Sequence, residues 1–129
     1  AKAIALVIPE LEGKLNGMAT RVPVLNVSML DLTFESEKDF EVDELVNALI
    51  QSSKKELYGV LSICDLPLVS SDFNHNSASS IFDINHIYKI GNQTKILAWY
   101  DNEWGFSKRM VELSLHIKQI SSISLKETA

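Results

Sequence analysis

The side chains able to bind or transform a ligand are few and widely spaced. Arg21 carries a permanent charge on a planar fork of donors that matches phosphate oxygens, and it opens an extended stretch immediately before Val22-Pro23. The plain alternative is a surface arginine in an ordinary ion pair. Asn102 offers an amide that donates and accepts at once; the same amide could cap the helix that follows it. Cys64 is the sole cysteine and reads as a buried packing residue, the common fate of a free thiol. His75, His86 and His116 are scattered, with His75 expected in a loop and His116 on a helix surface, and an unpaired histidine is usually structural. Trp99 and Trp104 read as core or interface aromatics. No metal-ligating set is expected.

The elements that must position these groups follow from periodicity. Ile4, Val7, Ile8 and Leu11 fall at helical spacing, but Pro9 would clash inside a helix, so the first helix should stop near Leu6 or Val7 and a separate turn should begin at Pro9. Gly13 and Gly17 bracket a loop. From Arg21 to Phe34 the pattern alternates, with Val24, Leu30 and Leu32 on one face and Leu25, Val27 and Met29 on the other, which predicts one long strand covered on both faces for part of its length. Val42, Leu45, Val46, Leu49 and Ile50 make an amphipathic helix with Asp43 and Glu44 in its first turn, ended by Ser52 and Ser53. Short strands are expected over Val60 to Cys64, Leu68 to Phe73 and Ser79 to Phe82. Ile87 to Ile90 and Lys95 to Tyr100 flank Gly91-Asn92 as a hairpin. After Asn102, a closing helix of about four turns is marked by Phe106, Met110, Leu113, Ile117 and Ile120, and the Ser-rich end from Ser121 to Ala129 should fray. This order has no βαβ alternation, so the fold class is α+β: a mixed, largely antiparallel sheet with helices on one face and a long C-terminal helix.

Bulk properties narrow the setting. A chain of 129 residues, 46% apolar, can bury one sizeable core and not two. Its net charge of −5, with basic residues scattered, disfavours a nucleic-acid surface. There is no apolar run of about 20 residues and no export signal at the N-terminus, so neither a membrane nor a secreted role is expected. One cysteine excludes an internal disulfide framework and favours the cytoplasm. The opening on Ala1-Lys2-Ala3-Ile4, without methionine, reads as a fragment boundary.

Several stretches carry a resemblance. Pro9-Glu-Leu-Glu-Gly-Lys-Leu-Asn-Gly-Met-Ala-Thr-Arg-Val-Pro23 and Trp99-Tyr-Asp-Asn-Glu-Trp-Gly-Phe106 are the longest. With Asn26-Val-Ser28, Asp31-Leu-Thr33, Leu68-Val-Ser-Ser-Asp-Phe73 and Ser80-Ile-Phe-Asp83, they resemble the glyceraldehyde-3-phosphate dehydrogenase family, in order and over nearly the whole chain. Erythrose-4-phosphate dehydrogenases fit the Arg-Val-Pro and Asn-Glu-Trp-Gly-Phe segments and fit the Pro-Glu-Leu stretch less well. The resemblance implies that residues 1–120 are the C-terminal part of the catalytic domain, that 121–129 are a tail, and that the NAD-binding Rossmann domain lies outside the chain. It implies a cysteine nucleophile in a Ser-Cys-Thr-Thr-Asn motif and a histidine base upstream, so no catalytic residue is expected here and the chain alone should neither turn over nor hold NAD tightly. Arg21 then matches a phosphate-binding arginine, between the sites for substrate phosphate and inorganic phosphate. Asn102 matches the asparagine that holds the nicotinamide carboxamide, and Phe106 stands where many members carry a tyrosine beside that ring, a departure that leaves only the hydroxyl's hydrogen bond in doubt. The implied parent oxidises glyceraldehyde 3-phosphate with NAD and inorganic phosphate, as a cytoplasmic homotetramer without nucleic-acid or membrane partners. A non-catalytic assembly module built on the same fold is the competing reading.

Overall fold

The computed structural model describes the backbone of residues 2–127 and the side chains of residues 3–121. Helix α1, Lys2–Val7, stops before Pro9, and a 3-10 turn, Pro9–Leu11, begins at the proline. Proline fixes φ and lacks an amide hydrogen, so it starts a helical turn more readily than it continues one.

Strand β1 covers Ser28–Glu35 and not the whole stretch from Arg21. Two features cut the expected strand short. Pro23 supplies no amide hydrogen, and Val27 holds φ at 73°, a left-handed conformation that a β-branched residue adopts only under constraint. Val27 is buried within the main apolar cluster, with Cys64, Phe73, Ala78 and Ile81, against Leu68 and Trp99. Burial and the bonds of its neighbour Asn26 hold that backbone.

Helix α2, Val42–Lys54, opens with Glu44 accepting the Glu41 amide hydrogen at 2.8 Å. It runs through Ser52 and Ser53 and does not end at them, because Ser53 turns its hydroxyl back onto the Ile50 carbonyl at 2.9 Å and so satisfies itself inside the helix. Its half-buried residues Leu45, Val46, Leu49 and Ile50 share one face, and the helix packs on the strands β2, Leu61–Cys64, and β3, Ser80–Ile90. The stretch Leu68 to Phe73 is also not a strand: Ser70–Phe73 forms a 3-10 turn. There Asp72 accepts the Val69 amide hydrogen at 2.8 Å, a local bond that competes with sheet pairing.

β3 and β4, Gln93–Tyr100, form the hairpin around Gly91-Asn92. Gly91 alone takes positive φ, 60°, at the first turn position, the backbone of a type II′ connection. β3 is one strand where two separate pieces are expected from the sequence; a bulge between Asp83 and Ile87 joins them. The sheet order is β1-β4-β3-β2, antiparallel except for the β2/β3 pair. The fold is therefore α+β on a mixed, largely antiparallel sheet.

The closing helix, α3, spans Asn102–Glu127. It is longer than the four turns marked by its apolar residues and takes in most of the segment from Ser121 onward; Thr128 and Ala129 lie outside the described residues. Trp104, Arg109 and Gly105 fasten its first turns to the loops that lead into β2 and β3. Trp104 donates its indole hydrogen to Ser77, Arg109 donates to the Gly59 carbonyl and to Ser79, and Gly105 lies against the backbone of Ala78. Beyond them Leu113, Leu115, Ile117 and Ile120 are exposed.

Gly105 is buried, and a Cβ built there would sit 3.1 Å from the Ala78 carbonyl oxygen. Helix propensity alone favours alanine over glycine by about 1 kcal/mol. Backbone cannot retreat as a flexible side chain can, so the collision should outweigh that gain, and we expect Gly105→Ala to lower unfolding stability by about 1 kcal/mol or more. Urea unfolding measures it; unchanged or higher stability would show that the helix is not held against Ala78.

Candidate functional site

The turn from β4 into α3 contains Asp101, which is 2% exposed. Its carbonyl accepts the Gly105 amide hydrogen at 2.9 Å, and its Oδ1 accepts that of Trp104 at 3.1 Å. These are the bonds of an N-cap, with aspartate satisfying a first-turn donor that the helix itself cannot. Asp101 is thus the cap, and Asn102 is the first helical residue with its side chain exposed and released from capping.

The second carboxylate oxygen reaches outward from the helix. Asp101 Oδ2 accepts the His75 amide hydrogen and the Asn26 side-chain amide, both at 2.8 Å. The same Asn26 nitrogen also donates to Asn74 Oδ1 at 2.6 Å. His75 presents its amide from a left-handed backbone, φ 60°, and its ring lies 4.4 Å from the Trp104 ring. One buried carboxylate therefore joins the loop before β1, the loop after Phe73 and the start of α3. Burial alone would raise its pKa, but the amide hydrogens of His75 and Trp104, the Asn26 amide and the charge of His75 outweigh that and hold it below the ordinary carboxylate value.

Asn102 and Phe106 lie four residues apart on α3, so they share one face of its first turns, and both are exposed, Phe106 by 64%. Arg21 is exposed in the irregular stretch before β1 and forms no hydrogen bond or ion pair with the described residues. It lies five positions before Asn26, a reach of about 17 Å at most. The structure thus fastens the helix start at Asn102 to Asp101 and connects Arg21 to that point only through the backbone of residues 22–26. Cys64 is buried, with its thiol directed to the Leu66 carbonyl. His75 lies in a loop and His116 on the exposed surface of α3. Among the described residues no group of three or more His, Cys, Asp or Glu could hold a metal ion, and no helix is long and apolar enough to cross a membrane.

Asp101, Asn26 and Asn74 form the hydrogen-bonded anchor of the candidate site, and the chain's patterning alone does not single them out. The available signal was an aspartate directly before the first turn of a helix, the favoured place for a cap. Asn26 carries no such signal, because its partners are 48 and 75 residues away.

The lowered pKa of Asp101 fixes the sign of a pH effect. Its stabilising bonds are complete above the ordinary value, 3.8, and are lost as pH falls through the lower folded value. Asparagine at this position would turn an amide donor toward groups that are themselves donors. Asp101→Asn should therefore cost about 2 kcal/mol at neutral pH and flatten the decline in stability below about pH 4. Urea titrations at neutral and acid pH measure both; an equally steep acid decline in the variant would remove Asp101 as its source.

The profile of the family described as "Glyceraldehyde 3-phosphate dehydrogenase, C-terminal domain" matches residues 1–102. Glyceraldehyde-3-phosphate dehydrogenase of Pseudomonas aeruginosa is 54% identical over 115 residues, covering 89% of this chain and 34% of the relative. The Geobacillus stearothermophilus enzyme of the same name is 49% identical over 118 residues, 91% of this chain and 35% of its own. Glyceraldehyde-3-phosphate dehydrogenase 2 of Nostoc is 51% identical over 115 residues, 88% and 34% respectively. The chain spans about a third of the length of the curated relatives it matches. Family profile and relatives both run through the segments joined at Asp101, and the chain belongs to the glyceraldehyde-3-phosphate dehydrogenase family, within its C-terminal domain.

Proposed function

We propose that this chain is the part of an NAD-dependent, phosphorylating glyceraldehyde-3-phosphate dehydrogenase that presents one phosphate ligand and one wall of the nicotinamide site. The observation that carries the reading is the exposed pair Asn102 and Phe106 on a helix start locked by Asp101. A free amide that can donate and accept fits a carboxamide, and an exposed ring one turn along fits the flat face of a nicotinamide. When bound, that cofactor supplies the hydride acceptor. The chain's own contribution is orientation: Asn102 holds the carboxamide, Phe106 packs beside the ring, and Arg21 binds phosphate oxygens of the substrate or of inorganic phosphate.

Burial of the Cys64 thiol supports the reading that it is not the nucleophile and that residues outside this chain supply the covalent chemistry. The 129-residue chain alone should therefore reduce no NAD with any aldose phosphate. Glyceraldehyde 3-phosphate is the preferred substrate of the parent and erythrose 4-phosphate the poorer one. The parent works in the cytoplasm as a homotetramer; Met29 and Leu30 are exposed on opposite faces of β1, and one of those two faces is the candidate for cover by a second copy.

In the full-length protein, Arg21→Ala should raise the Michaelis constants for phosphate and substrate by about tenfold to a hundredfold, the loss of a charge-assisted contact, while NAD affinity stays nearly constant. Steady-state kinetics with phosphate varied at saturating NAD measure this. An unchanged phosphate dependence would reduce Arg21 to a surface residue, and a specificity constant higher for erythrose 4-phosphate would move the assignment to that dehydrogenase. NAD reduction by the pure 129-residue chain would overturn the division of labour.

A further inference from the structure

Residues an odd number of positions apart in a regular strand point to opposite faces, so Asp83 and His86 of β3 should not meet. They do, with His86 Nδ1 2.9 Å from Asp83 Oδ2. The bulge makes this possible. β3 pairs Asp83 with Leu97 and Ile87 with Ile96, so the residues between have no partners of their own on β4, and the alternation is reset. Asp83 Oδ1 accepts the Asn85 amide hydrogen at 3.0 Å, which folds the bulge over the carboxylate.

The two side chains differ sharply in access: that of Asp83 is 2% exposed and that of His86 is 43% exposed. Trp99 donates its indole hydrogen to Asp83 Oδ2 at 3.2 Å, fixing the carboxylate from the β4 side. Burial would raise the Asp83 pKa, but the bonds from Trp99, His86 and the Asn85 amide hold it below the ordinary carboxylate value. An ionised carboxylate only accepts, so the imidazole must donate from Nδ1, and in the neutral ring the lone pair then resides on Nε2. A carboxylate already bonded to an indole and a backbone amide does not require an imidazole for its own satisfaction. The bulge instead yields a histidine with a fixed tautomer, a buried counter-charge and an accessible nucleophilic nitrogen, the relation that orients and activates an imidazole in nucleophilic sites.

We propose that His86 is a phosphoryl-acceptor site, modified at Nε2 by small molecules that carry an activated phosphoryl group. The Nε2 lone pair forms a bond to phosphorus, the bond from phosphorus to the leaving group breaks, and the leaving group departs with that electron pair. The Nδ1 hydrogen stays on the ring against Asp83, whose negative charge offsets the positive charge that the ring gains. A phosphoryl group fits better than an acyl group, because an acylated imidazolium is hydrolysed quickly and leaves no lasting mark. No residue placed at the Arg21, Asn102 and Phe106 site takes part.

The test is treatment of the folded protein with potassium phosphoramidate, followed by peptide mapping under alkaline conditions and by NMR assignment of the ring nitrogen that carries phosphorus. His116, exposed on α3 and without a carboxylate partner among the described residues, is the internal reference. His86 should react about tenfold or more faster than His116, at Nε2, and Asp83→Asn should abolish that advantage. The same reaction on urea-unfolded protein must also abolish it, which keeps the comparison decisive if Asp83→Asn does not fold. Equal rates at His86 and His116 in the folded protein, attachment at Nδ1, or an advantage that survives both the substitution and unfolding would overturn the proposal.

Discussion

A single buried carboxylate joins three segments at the candidate-site end of this fold. Asp101 accepts hydrogen bonds from the first turn of α3, from the left-handed residue His75 and from Asn26 in the loop before β1. A charged acceptor with three donors is stronger than neutral pairs would be, and leaving any one donor unpaired in a buried setting is costly. The three segments are separated in sequence by tens of residues, yet share one point of attachment. The positive φ values at Val27 and His75 lie next to that point, so local backbone strain is held in place by the same bonds.

The cap also decides what Asn102 is free to do. An asparagine at the cap would spend its amide on the helix; with aspartate one residue earlier, the amide is left exposed at the first helical position. The helix start cannot slide, because Gly105 lies against Ala78 and Arg109 reaches Gly59 and Ser79. Orientation by a rigid element is what a positioning residue needs, since small displacements degrade a bound geometry.

Much of the architecture is legible in the chain. The stop at Pro9, the amphipathic stripe from Val42, and the Gly91-Asn92 turn each rest on a local rule, and each element forms where that rule places it. The elements that differ do so through contacts the local pattern does not contain. Alternation from Arg21 onward implies a longer strand, but Val27 is turned into the core and Asn26 is drawn to Asp101, so pairing begins at Ser28. Leu68 to Phe73 has strand-like composition, but Asp72 closes a turn on Val69. The residue types at Arg21, Asn102 and Phe106 were visible as chemistry and as a family resemblance, whereas the anchor beneath them depends on pairings 26 to 75 residues apart. The Asp83 and His86 pair was hidden for a related reason: both residues fall between the two expected strand pieces, and only the bulge that joins those pieces brings the side chains together.

One carboxylate fastens the backbone amides of both His75 and Trp104. Amide proton shifts followed by NMR as pH is lowered test it directly, because a hydrogen bond to a titrating carboxylate moves the donor's resonance with the acceptor's charge. The His75 and Trp104 amides should move together, with one shared midpoint below the ordinary value of 3.8. Separate midpoints, or a midpoint at or above that value, would contradict the account.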